Sequence, residues 1–116
     1  MKLDQHIARE RLNYRNARLA GDQAAAWRAL ERLHILSQAQ FWPHIRSHVV
    51  MLGYAVALRD SREIFGQLAR LALAPLGNLT GRLPIGNTGR ANVSAFVPME
   101  IPEELQRQIK DAGAAN

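Results

Sequence analysis

Twice in this chain a helix stop is followed at once by an acidic helix cap, and that arrangement constrains the fold more than any other feature. Gly21 is suited to end a first helix that starts at Asp4 as N-cap and runs to about Ala20. Asp22 then caps a second helix that runs to about Gln38. Further on, Asp60 with Glu63 three residues later reads as a capping box for a fourth helix, which Pro75 is expected to stop. Joints this short leave no room for a crossover, so each helix must fold back antiparallel on the one before it.

The apolar spacing fills in the helices. Ala8, Leu12 and Leu19 form the expected stripe of the first, and Ala26, Leu30 and Leu33 that of the second. Pro43 suits the first turn of the third, where a missing N–H costs nothing, and Ile45, Val49, Leu52 and Val56 follow as its core face. Ile64, Leu68 and Leu71 do the same for the fourth. The aromatic residues Tyr14, Trp27, Phe41, Trp42, Tyr54, Phe65 and Phe96 are expected in the core or in the hairpin packing.

The segments ARLAGDQAAAWRALERL and AVALRDSREIFGQLARLALAP share one layout of helix, short turn and helix. They look like tetratricopeptide hairpins, although Asp22 and Asp60 are 38 residues apart against the 34 of that repeat, and its full motif is missing. From 75 to 101 the pattern changes to a stretch dense in Gly, Asn, Thr and Pro with no sustained period. An ordered strap along the bundle is expected there, because Leu79, Leu83, Ile85, Val93, Phe96, Val97 and Ile101 supply apolar anchors. Pro102 and Glu103 open a short closing helix over 102–112 with Leu105 and Ile109 inward, and the end of the chain, Ala112 to Asn116, is expected to fray. The fold class is all-α: one helical domain over 1–116, with four helices in 1–74 forming two antiparallel hairpins, then the irregular strap and the closing helix.

Three of the four histidines lie in the middle of this layout. His44 and His48, one turn apart at the start of the third helix, share a face at a separation that suits a single metal ion. His34, near the end of the second helix, is placed to supply a third ligand across the hairpin. Glu31 one turn before it makes Glu-x-x-His, the spacing by which bundles present a carboxylate and an imidazole to iron or manganese, and Glu10 on the facing helix could complete the set. A second Glu-x-x-His, which a di-iron centre needs, is absent. Set against the metal reading, His44 and His48 lie at and beyond the flank of the Ile45–Val56 stripe, where a histidine hydrogen-bonded to a carbonyl is an ordinary boundary residue.

Other chemistries find less support. The chain has no cysteine, which removes disulfides, thiolate metal sites and cysteine nucleophiles. Gly81 to Thr88 comes within one residue of the phosphate-binding loop pattern, but Asn87 stands where a lysine is needed and Pro84 deletes a backbone donor. Gly86 and Gly89 are instead expected at positive φ in consecutive turns, with Asn87 and Thr88 bonding the local backbone. The net charge is +5 with thirteen arginines and two lysines, spread among acidic residues without a dense basic run, so most belong to solvated faces and nucleic acid is not an expected partner. The N-terminal residues lack the apolar segment of a signal peptide and no stretch reaches the roughly 18 apolar residues of a membrane span, so the expected address is cytoplasmic.

The stretches ALERLHILSQ at 29–38, HIRSHVVM at 44–51 and above all GRLPIGNTGRANVSAFVPM at 81–99 resemble the small bacterial proteins grouped as domain of unknown function 3703. The resemblance covers most of the chain. It implies a compact helical domain in which His34, His44 and His48 keep company with Gly86, Asn87, Thr88, Gly89, Asn92 and Ser94, and it assigns no chemistry. The leading expectation is therefore a divalent transition metal, zinc or iron, held by His34, His44 and His48, with Glu31 as an added ligand and the 86–94 loop closing over it. The rival is a tetratricopeptide-like module that holds a partner peptide or a second copy of the chain, with no metal and no catalysis. A third and weaker reading is capture of an acidic partner or nucleic acid through the arginine-rich faces.

Overall fold

The computed structural model describes residues 2–114 and contains five helices: α1 (Leu3–Leu19), α2 (Gln23–Ser37), α3 (Phe41–Ala57), α4 (Ser61–Thr80) and α5 (Glu103–Ala114). Among the described residues there is no strand. The fraying expected at the C-terminus lies partly outside the described residues. α1 packs against α2 and α3 against α4 as two hairpins, α2 meets α3 along a narrower seam, and α5 lies across α1 and α2.

The two acidic caps are in place. Asp22 Oδ1 accepts from the Ala25 N–H at 3.0 Å and Asp60 Oδ1 from the Glu63 N–H at 3.2 Å. The box at Asp60 is only half formed, because the Glu63 carboxylate turns away from the cap and into the protein. α1 begins ahead of Asp4: Lys2 is its N-cap, and the Gln5 side chain accepts from the Lys2 N–H, which leaves Asp4 in the first turn facing the helix dipole.

Pro75 does not stop α4, which continues to Thr80 and ends at Gly81 with φ of 73°. A proline inside a helix removes one backbone bond, and here the turn beyond it is tied down by side chains. Asn78 donates to the Gln38 carbonyl at 3.1 Å, and Thr80 Oγ1 donates to the Leu76 carbonyl at 2.6 Å. The irregular strap is thus shorter than expected, running from residue 81 to residue 102.

The apolar stripe of α2 is buried as expected, with Ala26, Leu30 and Leu33 at the centre of the core. In α1, α3 and α4 the buried face is a different one. Leu12 and Leu19 are exposed while Ile7, Glu10 and Tyr14 turn inward; Val49 and Val56 are exposed while His44, Ser47, His48, Met51, Tyr54 and Ala55 are buried. Leu68 is exposed on α4, whose inner face is Glu63, Gln67, Arg70 and Ala74. Apolar burial is concentrated around α2: Trp27 and Tyr14 pack their rings on Tyr54, at centroid distances of 5.0 and 5.4 Å, and Leu105 of α5 closes the core from the far side. Trp42, Phe65 and Phe96 lie on the surface instead of in the core.

The strap is ordered, and of its expected apolar anchors Ile101 packs against the core, but most of its anchors are polar. Leu79, Ile85, Phe96 and Val97 are exposed, whereas Gly86, Asn87 and Gly89 are buried. Asn87 donates from Nδ2 to the carbonyls of Ser94 and Val97, both at 2.8 Å, and accepts from the Gly89 N–H at 2.9 Å. Arg90 stacks on Trp27, 3.8 Å from the ring centroid, and donates from Nε to Glu63 at 2.6 Å. Glu63 also accepts from the Ala91 N–H. Arg70 reaches up from α4 to the carbonyls of Arg90 and Val93, at 2.9 and 2.7 Å.

Candidate metal centre

His34 near the end of α2 and His44 and His48 in the first half of α3 point into the seam between the two hairpins, each less than 5% exposed. One donor atom from each lies within 4.8 Å of the other two. The Nε2 atoms of His34 and His44 are 3.2 Å apart.

The opposite ring nitrogen of every histidine is already committed. His34 Nδ1 is 2.8 Å from the carbonyl of Asn87, a group that only accepts, so the ring donates there. His44 Nδ1 meets Asn78 Oδ1 at 2.6 Å, and the Asn78 amide cannot be turned round because its Nδ2 donates to the Gln38 carbonyl. His48 Nδ1 meets Gln67 Oε1 at 2.8 Å, and that amide is fixed the same way, with Nε2 donating to Glu63 and to the Gly89 carbonyl. Three acceptors on α4 and the strap therefore hold three imidazoles in the Nδ1–H tautomer. The Nε2 lone pairs of His34 and His44 are left to face each other, and a ring nitrogen of His48 lies within 4.8 Å of the donor atoms of both.

Burial keeps the rings neutral. It drives the His34 pKa well below the ordinary histidine value, helped by the positive potential of His48, His44 and Arg70. It lowers His48 to about 4 and lowers His44 in the same direction. Arg70 is itself held below its usual value by burial.

The imidazoles form part of the wall of a cavity of about 650 Å³, bounded by the C-terminal half of α4 and by the strap. Asn87 and Gly89 belong to its lining; Gly86, Thr88, Asn92 and Ser94 do not. Gly86 has a closing role: at φ of 82°, a Cβ there would overlap the Met99 carbonyl. Gly89, at φ of 84°, lies flat against the His34 ring, with no space for a Cβ between them. Thr88 Oγ1 accepts from the Arg90 N–H at 3.4 Å and Ser94 Oγ from the Phe96 N–H at 3.3 Å, both local turn contacts. Asn92 is exposed.

The carboxylate of Glu31 is not gathered with the histidines; Arg90 is 4.0 Å from it, and partial burial raises its pKa against the opposing pull of that arginine. Glu10 is held by Arg32 at 3.2 Å on the α1 side. The fourth histidine, His6, is on α1 and outside the cluster.

Gln67, Asn78 and Arg70 escape a reading based on apolar periodicity. Their signal was a polar stripe: Glu63, Gln67, Arg70, Ala74 and Asn78 recur at spacings of four, three, four and four, the period of one helical face.

A family model for proteins of unknown function, DUF3703, matches residues 1–109. The chain belongs to DUF3703. The match takes in both hairpins, the strap and every residue of the histidine cluster. No curated protein and no solved structure matches the chain. The DUF3703 description carries no activity, so the chemistry has to come from the geometry of the cluster.

Proposed function

We propose that this protein binds one divalent transition ion, zinc or iron, through Nε2 of His34, His44 and His48. The observation that carries the reading is the set of Nδ1 contacts. Buried polar groups are nearly always hydrogen-bonded, yet two neutral imidazoles here, His34 and His44, turn bare lone pairs toward each other at 3.2 Å with the third, His48, gathered beside them. A cation at their centre resolves that conflict. Metal-bound histidines characteristically donate the other ring N–H to a carbonyl or amide oxygen, which fixes tautomer and ring orientation.

The spacing supports it too. Nitrogens on a tetrahedral ion at bond lengths of about 2.0–2.1 Å are roughly 3.3 Å apart, and the His34–His44 pair is already at 3.2 Å. Small rotations of the rings bring the third nitrogen in from a spread of at most 4.8 Å. Neutral imidazole ligands suit zinc and iron without selecting between them. Three protein ligands beside a cavity leave a coordination position open, the pattern of sites that bind or transform a ligand, where purely structural zinc sites are closed by four.

The test is metal analysis of the untagged protein beside a His44→Ala/His48→Ala variant of confirmed helicity. About one equivalent of metal in the parent and none in the variant is expected. Asn78→Ala should retain stoichiometry but bind zinc roughly 10–100-fold more weakly, because His44 loses its orienting acceptor. A parent that takes up no transition ion from any of zinc, iron, manganese, nickel or copper would leave the imidazoles structural and sink the proposal.

A further inference from the structure

We infer that the cavity beside the histidine cluster receives a small carboxylate with an apolar body, its carboxylate bound at the ion's open position; the inference rests on the metal reading above. Charge balance comes first. Three neutral imidazoles leave a divalent ion's charge uncompensated, and among the described residues no acidic side chain lines the cavity. The only other charged groups in it are cationic, Arg70 and Arg82. A buried site of that sign is stabilised by an anion brought from outside.

The state of Arg70 decides what kind of anion. Nη1 and Nη2 are taken up by the carbonyls of Gly66, Arg90 and Val93, and Nε has no partner among the described residues and no access to solvent. Arg70 thus enters as a fixed positive charge behind the site, with no free fork for bidentate contact. Phosphoryl groups are characteristically gripped by several N–H donors or by such a fork, and the one uncommitted fork in the lining, that of Arg82, is exposed at the edge of the cavity instead of facing the ion from within. A singly charged carboxylate that takes its main contact from the ion itself fits better.

The rest of the wall sets the body of the ligand. Beyond the ion, Leu73, Leu76, Leu83, Pro84, Phe96 and Pro98 make an apolar surface, and Arg82 is exposed at the edge. A volume near 650 Å³ is in the range of sites for whole organic molecules and far exceeds what a water or an acetate would fill.

Cobalt(II)-loaded protein titrated with 4-phenylbutyrate tests this, read by the cobalt d–d spectrum and by calorimetry. The inference expects a perturbed cobalt spectrum and binding at least tenfold tighter than that of 4-phenylbutanol, acetate or inorganic phosphate. It also expects Leu73→Trp, which places a larger ring at the partly exposed wall, to take up cobalt in full and bind 4-phenylbutyrate at least tenfold more weakly. Cobalt uptake with no preference for 4-phenylbutyrate over the alcohol, over acetate or over phosphate overturns this inference and leaves the metal site standing. Failure to take up cobalt overturns both.

Discussion

Two glycines with nearly the same backbone separate strain from function. Gly81 and Gly89 have φ of 73° and 84°, but a Cβ at Gly81 meets nothing within 4 Å, whereas one at Gly89 comes within 2.8 Å of the His34 ring. Gly81→Ala should therefore cost only the left-handed penalty, about 1 kcal/mol, and leave metal uptake intact. Gly89→Ala adds displacement of the His34 ring: it should destabilise by roughly 2–3 kcal/mol and, with His34 a ligand as proposed, weaken zinc binding at least tenfold. Denaturant melts and competitive zinc titrations on the two variants make the comparison, and equal zinc affinities would show that His34 tolerates the shift. The same ring cluster sets an acid dependence in the metal-free protein. His48 protonates near pH 4 when folded and near 6.5 when unfolded, so the unfolded chain holds the extra proton between those values. Stability should be full above about pH 6.5 and decline on acidification toward pH 4, by about 3 kcal/mol from His48, with His34 and His44 acting in the same direction. Urea melts of chelator-treated protein across that window check it; a flat profile would mean that the rings are hydrated.

At the scale of elements, the strap is fastened to α4 chiefly by buried polar groups, a carboxylate and the Arg70 guanidinium, with small apolar contacts of Ala91 at Gly66 and Leu83 at Gly77 beside them. Glu63 is buried and takes the Arg90 guanidinium and the Ala91 N–H, while Arg90 covers Trp27. Glu63→Gln keeps the shape and removes the charge, leaving Arg90 with a weaker partner in a half-buried place. We expect a loss of about 2–3 kcal/mol and faster amide exchange over residues 86–94 than over α2, measured by hydrogen exchange. If exchange accelerates evenly over the whole chain, the clamp is not local to the strap. This fastening also explains what could and could not be read from the sequence. The turns were legible, since Gly21, Asp22 and Asp60 act through local backbone chemistry, and the histidines were legible, since an i, i+4 pair declares itself. The rotations of α1, α3 and α4 were not. Periodicity finds the apolar side of a helix and takes it for the inside, but α3 and α4 bury polar residues that are satisfied by one another, His48 by Gln67 and His44 by Asn78, or by the strap, Glu63 by Arg90. Only a partner known in three dimensions makes such a face cheaper to bury than Val49, Val56 or Leu68. Glu31 failed to join the histidines for a related reason, because an arginine 59 positions further on comes within 4.0 Å of it.

For the whole molecule, the cluster occupies the join between the two hairpins. The α1–α2 and α3–α4 hairpins are each closely packed, the α2–α3 seam between them is narrower, and His34 faces His44 and His48 across that seam, which also holds the apolar packing of Trp27 on Tyr54. Without metal, two neutral rings at 3.2 Å with lone pairs opposed contribute little to holding the hairpins together. An ion that bonds to both sides converts this point into the strongest link, and because the unfolded chain offers no preformed site, its binding energy appears as folding energy. Zinc at about a hundred times its dissociation constant should add about 2.7 kcal/mol, a rise in Tm of the order of 10 °C for a chain of this length. The distribution matters more than the size. Chelation should speed exchange across α3 and α4 more than across α1 and α2, since the latter pair carries most of the apolar core, to which α3 adds Met51, Tyr54 and Ala55, and is braced by Leu105 of α5. Hydrogen exchange on chelated and zinc-loaded protein, run beside the His44→Ala/His48→Ala variant with and without zinc, measures this directly. The parent should gain protection in α3 and α4 on adding zinc and the variant should gain none. Protection gained equally by the variant would locate zinc elsewhere on the chain and separate the stability of the seam from the histidines.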